Sequence, residues 1–467
     1  MNKKELIKLG VPQGECVESA LSYVIKMAKG GLPKETIREN IKTTIGMPEV
    51  FANTVSPLAS FAEKLIEVKS NPDTFVGRET PAPYKIWGTD LDENAIDQLK
   101  ASCELPIAEM AALMPDAHLG YGLPIGGVLA TNNAVIPYAV GVDIACRMKM
   151  TVLDLDPSDI DTKIAMLSHA IECQTRFGVG ANFKENKRHH DVMDRDWDVS
   201  PVTKEHKDKA WNQLGTSGSG NHFVEFGTLT LDKDDLALPA GKYLALLSHS
   251  GSRGVGANVC KYYHNLASEK HPELPKELEN LAWLDLDSEE GQEYWEAMSL
   301  MGLYAAANHA CIHYHIASHL GCEALSNVEN HHNFAWKETH FGKEVIVHRK
   351  GATPAGKDIL GVIPGSMGTS SYVVRGLGNP ESLNSSSHGA GRRMSRTKAK
   401  EKFNWEEVKK FLKEKKITLL SAGLDESPGS YKDIDEVMSR QTNLVRTIAK
   451  FEPRIVKMAE AGEKPED

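Results

Sequence analysis

Gly141-Val142-Asp143-Ile144-Ala145-Cys146-Arg147 sets a carboxylate and a thiol three residues apart, between a glycine and an arginine. Downstream, histidines recur in turns of small residues: Gly220-Asn221-His222, Ser248-His249-Ser250-Gly251, His331-His332-Asn333 and Ser387-His388-Gly389. A histidine on such a turn has few large neighbours to pack against, so it points into a site more readily than into a core. Each alone has a plain reading: Asp143 and Cys146 as a strand end with a buried thiol, each histidine as a hydrogen-bonded turn residue. Together they are the donor set of a divalent transition-metal site. One ion or two stays open on these residues alone. The candidate groups are spread from 143 to 388, and a single site built from segments so far apart requires one continuous fold around it. The expected fold class is therefore α+β, a single large mixed domain with an N-terminal helical portion. Residues 1–80 are assigned to the helical portion and 81–467 to the catalytic domain.

The patterns around this stretch support that division. Ser19 to Lys29 and Phe61 to Ile66 carry helical apolar spacing, and Pro72, Pro81 and Pro83 break it. From Met114 to Met150, glycines and prolines punctuate short apolar runs, as in strands joined by tight turns. Lys149 to Leu155 and Tyr243 to Ser248 are expected as buried strands. Glu293 to Leu320 is expected as a long helix, and Trp405 to Lys416 as an amphipathic one. Asp433 to Ala459 is expected as a last helix.

Composition removes several function classes. The 41% hydrophobic and 25% charged residues are those of an ordinary soluble domain. Seven scattered cysteines without a C-x-x-C pair suit reduced thiols, hence a cytoplasmic location rather than a disulfide framework. No apolar run is long enough to span a bilayer, so no membrane partner is expected. A net charge of −10 argues against general nucleic-acid binding. The charge is uneven, however. Arg392, Arg393, Arg396, Lys398, Lys400 and Lys402 follow His388 closely, with Glu401 the one acid among them, and Lys184 to His190 forms a second basic run. A local basic groove still allows a polyanion to bind an acidic protein.

Other motifs fail on inspection. His309 and His313, like His315 and His319, have the i, i+4 spacing of a helical metal site, but the glutamate of a zinc protease is missing and the segment is apolar. These four are read as core histidines or as supports behind the site. Gly351 to Lys357 opens like a phosphate-binding P-loop, but Asp358 stands where a magnesium-binding hydroxyl is needed. No G-x-S-x-G occurs. Two segments do suit an anion: Pro364 to Tyr372 and Ser385 to Arg393, both rich in hydroxyls and freely turning backbone N–H groups. His388 in the second is placed for nucleophilic attack on phosphorus.

With those segments in view, the chain resembles the RtcB family of RNA-splicing ligases. The resemblance rests on Met114 to Gly127, Gly141 to Arg147, Gly218 to Phe223, His249 to Gly254, His332-Asn333, Arg349 to Ala352, Pro364 to Tyr372, Ser387 to Arg392 and Ser427 to Asp433, in family order, across about residues 80–457. It implies two manganese ions, held by Asp143, Cys146, His222, His249 and His332, with Cys146 bridging as thiolate. It implies that His388 attacks the α-phosphate of GTP and carries GMP. The GMP passes to an RNA 3′-phosphate, formed where needed from a 2′,3′-cyclic phosphate, and a 5′-hydroxyl end then displaces it. It places Asn221, Phe223, Glu225, Ser366, Ser371, Ala390, Gly391 and Tyr431 at the guanylate, with Glu225 reading the base and Arg253 binding phosphate. Family chains usually finish in an apolar run ending Lys-Gly, with that lysine at the guanylate. Here the matching lysine is Lys457, followed by Met458. The implied partners are RNA ends and an activating protein of the archease type, and the implied state is a monomer. The alternative kept beside this reading is a metal-dependent phosphodiesterase or phosphatase on nucleic-acid ends.

Overall fold

The computed structural model describes residues 1–12, 15–52, 54–70 and 75–463. The chain divides into two compact units, one of residues 1–77 with 272–275, the other of 78–271 with 276–467. No helix among the described residues is long and apolar enough to cross a membrane.

The first unit is helical: Lys3–Lys8, Glu15–Lys29, Lys34–Gly46, Pro48–Phe51 and Ala59–Ser70. Asn2 and Glu5 form a reciprocal capping box at the first helix. Val17, Ala20 and Val24 recur at helical spacing and pack with Leu6, Ile37, Ile41, Phe61 and Leu65.

The second unit is built on two sheets, as the α+β expectation required. One has five strands in the order Tyr84–Ile86, Ala108–His118, Ile125–Thr131, Lys343–Lys350, Asn333–His340. The other runs Leu360–Ile363, Ser371–Gly376, Val445–Met458, Phe223–Leu231, Gly241–Ser250, Arg147–Leu153, Ala324–His331, with Thr418–Ser421 added beside Val445–Met458. Its two edges meet through one side chain. The Val362 N–H donates to Asn330 Oδ1 at 2.7 Å, and Asn330 Nδ2 donates to the Val362 carbonyl at 3.4 Å. Strand alternation then sorts the core. Ala245 and Leu247 join Met150, Leu229, Val373 and Phe451 on the inner face. Leu244 and Leu246 face outward with Val224 and Phe226, against Leu167, Ile171, Ile312 and Ile316 of the helices Ile164–Gln174 and Glu289–Leu320.

The long helix extends over Glu289–Leu320, and the amphipathic one over Trp405–Glu414, which buries Val408 and Leu412. The expected last helix is a correction. Only Ile434–Ser439 is helical, and Val445–Met458 is a 14-residue strand pairing with three neighbours. Its alternation of buried and solvated positions, with Val445, Ala449, Phe451, Pro453 and Ile455 buried, has a strand's period, and Pro453 would break a helix.

Candidate metal and nucleotide site

Strand register assembles the donors. Phe223 pairs with His249, Arg147 with Ser250, and Arg147 with His331. Cys146, His222, His249 and His332 therefore stand at the same end of four adjacent strands. The turn that adds Asp143 needs Gly141 at φ 107° and is tied down by Asn333, whose Nδ2 donates to the Asp143 carbonyl at 3.2 Å. Gly251 is the close-approach position: a Cβ there would lie 2.1 Å from Asp143 Oδ1.

The donor atoms converge. Cys146 Sγ lies 3.4 Å from His222 Nε2 and 3.1 Å from His249 Nε2. His222 Nε2 lies 3.1 Å from Asp143 Oδ2, and His249 Nε2 lies 3.2 Å from His332 Nε2. The Asn221 carbonyl, 3.2 Å from His249 Nδ1, can only accept, so the proton sits on Nδ1 and Nε2 offers its lone pair to the cluster. Burial, with the cationic forms of His222 and His388 nearby, pulls His249 down to about 3, and burial holds His332 well below its ordinary value. Burial is the largest influence on Asp143 and opposes its ionisation, but the hydrogen bonds with His222 and Cys146 and the positive charges of His222 and Arg253 together outweigh it and keep the carboxyl below the usual range. Neutral imidazoles around a thiol and an ionised carboxylate, all buried, fit transition-metal ions.

A cavity of about 1080 Å³ opens over these donors. His388 enters its wall beside them, with its ring 5.0 Å from that of His332. Asp116, fully buried, holds it. One carboxylate oxygen accepts from His388 Nδ1 at 2.7 Å, from the His388 N–H at 3.2 Å and from the Gly389 N–H at 3.3 Å. Burial again is the largest influence and opposes the charge, but the hydrogen bonds with His388 and Ser387 and the positive charges of His388 and Lys432 together outweigh it, leaving Asp116 below the usual carboxylate range. An ionised carboxylate fixes the proton on Nδ1 and leaves Nε2 as a nucleophile. Sequence reading missed Asp116, although it lies in the Met114 to Gly127 run. An acid buried in a strand becomes informative only when its partner, 272 residues away, is known.

Asn221, Phe223, Ser366, Ala390, Gly391 and Tyr431 also line the cavity, as do Lys350, Arg392, Arg393, Arg396 and Lys432. Four expected residues do not. Glu225 lies two residues beyond Phe223 on the same strand face, 3% exposed, and burial raises its carboxyl well above the ordinary range. Ser371 is buried and shapes the turn, accepting from the Gly365 N–H at 3.3 Å. Arg253 is buried, with Nε donating to Thr216 Oγ1 at 3.0 Å and Nη2 to the Gly178 carbonyl at 3.0 Å. Lys457 pairs with Val224, so it takes the helix-packed face while Met458 takes the cavity face. Its ammonium stands over the Phe177 ring and 3.7 Å from Glu172.

The histidines of the long helix split. His309 and His313 are buried, and Ser248 Oγ lies 2.6 and 2.8 Å from them. They brace the strand that carries His249. His315 is half-buried, and His319 is exposed and bonded to Gln174, so neither is a core residue. The basic runs split too. Arg188 is buried against the Gly215 and Gln174 carbonyls. Arg392 pairs with Glu426 at 3.5 Å, and Arg396 with Asp425 at 3.2 Å and also with Glu426; Arg393, Lys398, Lys400 and Lys402 are exposed, with Lys400 reaching Asp425 at 3.8 Å.

Set against known proteins, residues 98–459 match the model of the family described as tRNA-splicing ligase RtcB. The chain belongs to the RtcB family. It is 36% identical over 403 residues to the RNA-splicing ligase RtcB of Escherichia coli K12, covering 79% of this chain and 95% of that one. It is 32% identical over 453 residues to the tRNA-splicing ligase RtcB of Nanoarchaeum equitans, covering 79% and 94%. With that of Methanococcus maripaludis it shares 30% identity over 444 residues, 78% and 91%. The resemblance read from the motifs is thus borne out. The family match begins at residue 98, beyond the helical N-terminal unit.

Proposed function

We propose that this RtcB-family chain is an RNA ligase that uses GTP and manganese to join 2′,3′-cyclic phosphate or 3′-phosphate ends to 5′-hydroxyl ends. The observation that carries the reading is His388, with Nδ1 held by Asp116 and Nε2 left free, next to five converging metal donors. Asp143, Cys146, His222, His249 and His332 would hold two ions. When bound, these supply positive charge that neutralises phosphate oxygens and polarises phosphorus.

His388 Nε2 attacks the α-phosphorus of GTP. The P–N bond forms as the bond to pyrophosphate breaks, and Asp116 balances the charge that develops on the imidazole. Phe223 offers a ring to the guanine, and Glu225, buried two residues further along the same strand, would serve as an acceptor for the guanine edge only once uncovered and ionised. The 366 turn, the backbone at Ala390 and Gly391, and Tyr431 complete the pocket. An RNA 3′-phosphate oxygen then displaces His388 and takes GMP. The 5′-hydroxyl of the second strand attacks the activated 3′-phosphorus, and GMP leaves. An activating protein of the archease type, a monomeric state and a cytoplasmic location belong to the same reading.

The test is joining itself. Two RNA strands, one ending in a 2′,3′-cyclic phosphate and the other starting with a 5′-hydroxyl, are incubated with protein, manganese and GTP. The expected product is a joined strand that requires both additions. Release of inorganic phosphate or opened ends without joining would favour the phosphodiesterase or phosphatase reading instead.

A further inference from the structure

The segment Leu119-Gly120-Tyr121-Gly122 joins the strands Ala108–His118 and Ile125–Thr131, and its backbone is tied on several sides. The Gly120 N–H donates to Gln98 Oε1 at 3.0 Å, and Gln98 Nε2 donates back to the Gly120 carbonyl at 2.6 Å. The buried Lys350 ammonium donates to the Tyr121 carbonyl. Gly122 takes φ 70°, and a Cβ there would lie 2.7 Å from the Asn280 carbonyl oxygen. Yet Leu119 is 53% and Tyr121 70% exposed, and both border the cavity that holds His388. A loop pinned this firmly does not expose a ring through slackness; it presents it. The presentation is close to the chemistry. Lys350 precedes Gly351, whose Cβ position would lie 3.2 Å from His388 Cε1.

We propose that Tyr121, flanked by Leu119, is a stacking platform for the nucleobase at the RNA terminus being joined. This rests on the ligase reading and adds what that reading lacks, since the guanylate pocket accounts for GTP but not for the RNA end. An aromatic face stacks on any base, so the platform would hold the terminus without demanding a sequence. The pinned backbone means that little conformational freedom is lost when the base arrives.

The test pairs Tyr121→Ala and Tyr121→Phe with RNA oligonucleotides ending in a 3′-phosphate, either intact or abasic at the last nucleotide. Binding is measured by fluorescence anisotropy, and GTP-dependent labelling in parallel. Tyr121→Ala is expected to weaken binding of intact RNA by roughly tenfold, with Tyr121→Phe close to wild type. The abasic end should cost the wild type a similar factor and cost Tyr121→Ala almost nothing more. A merely structural tyrosine would not produce that cancellation. An equal abasic penalty in both proteins overturns the platform, as does unchanged RNA affinity in Tyr121→Ala. So does a raised GTP requirement for labelling with RNA affinity intact, which would assign the ring to guanine. A wild type that takes up no GMP overturns the ligase reading itself, and the platform with it.

Discussion

Replacing Asp116 by Asn isolates what one buried charge does for the nucleophile. The amide keeps the size of the carboxylate and can still accept from His388 Nδ1 and the two backbone N–H groups, so the turn at Ser387 to Gly389 is retained. What is lost is the negative charge, 2.7 Å from the imidazole nitrogen. As His388 Nε2 bonds to phosphorus, positive charge grows on the ring. A unit charge roughly 4 Å away at an effective dielectric of about 20 is worth about 4 kcal/mol, an upper bound for the loss. Downgrading one charge-assisted hydrogen bond to a neutral one, about 1.4 kcal/mol, is the lower bound. Self-guanylylation should therefore slow between about tenfold and about a thousandfold at saturating GTP. The assay is a rapid-quench time course with α-labelled GTP, with circular dichroism to show that the fold is kept. A labelling rate within twofold of wild type would refute the claim that Asp116 sustains the charge on His388.

Three further outcomes follow from neighbouring features. Cys146→Ala should lose most bound metal by elemental analysis while Cys311→Ala keeps it, because Cys146 Sγ is within 3.4 Å of two imidazole nitrogens and Cys311 lies on the long helix away from the donors; equal metal in both would make Cys146 structural only. Glu225 is protonated in the fold at pH values where the unfolded chain has already released that proton, so the native state binds the extra proton and stability falls as pH rises through the raised value. Glu225→Gln should thus raise Tm at pH 8 more than at pH 5, measured by calorimetry, and an equal shift at both would remove the argument. Neutralising Lys398, Lys400 and Lys402 together, all on the short helix Arg396–Lys402, should weaken RNA binding and flatten its salt slope by roughly 0.7 for each single-strand phosphate no longer neutralised, leaving guanylylation intact; an unchanged slope would make the exposed face of that helix a solvated surface.

The parts of the fold that were legible in sequence are those with a strong local period. The long helix over Glu289–Leu320 and the strand Gly241–Ser250 announce themselves through uninterrupted apolar spacing. Val445–Met458 did not, because its charged residues alternate with buried ones and lysines at Lys450 and Lys457 mimic a helix surface. The metal donors were legible because small residues surround each of them. Asp116 was not, since its role exists only once the fold brings residues 116 and 388 together. Lys457 was placed by motif position, but strand alternation decides its direction, and Val224 across the ladder puts it on the helix-packed face. Arg392 and Arg396 read as free cations in sequence, yet Asp425 and Glu426, beside the Ser427 to Asp433 run, engage both.

The measurement that bears most directly on the central claim is covalent transfer of GMP. Wild-type protein incubated with manganese and α-labelled GTP should retain label through denaturing electrophoresis, with a bond stable in alkali and labile in acid, as a P–N bond is. Peptide mass spectrometry should put the added guanylate on His388, and His388→Ala should show none. A guanylate found on another residue, or undiminished labelling in His388→Ala, would contradict the account.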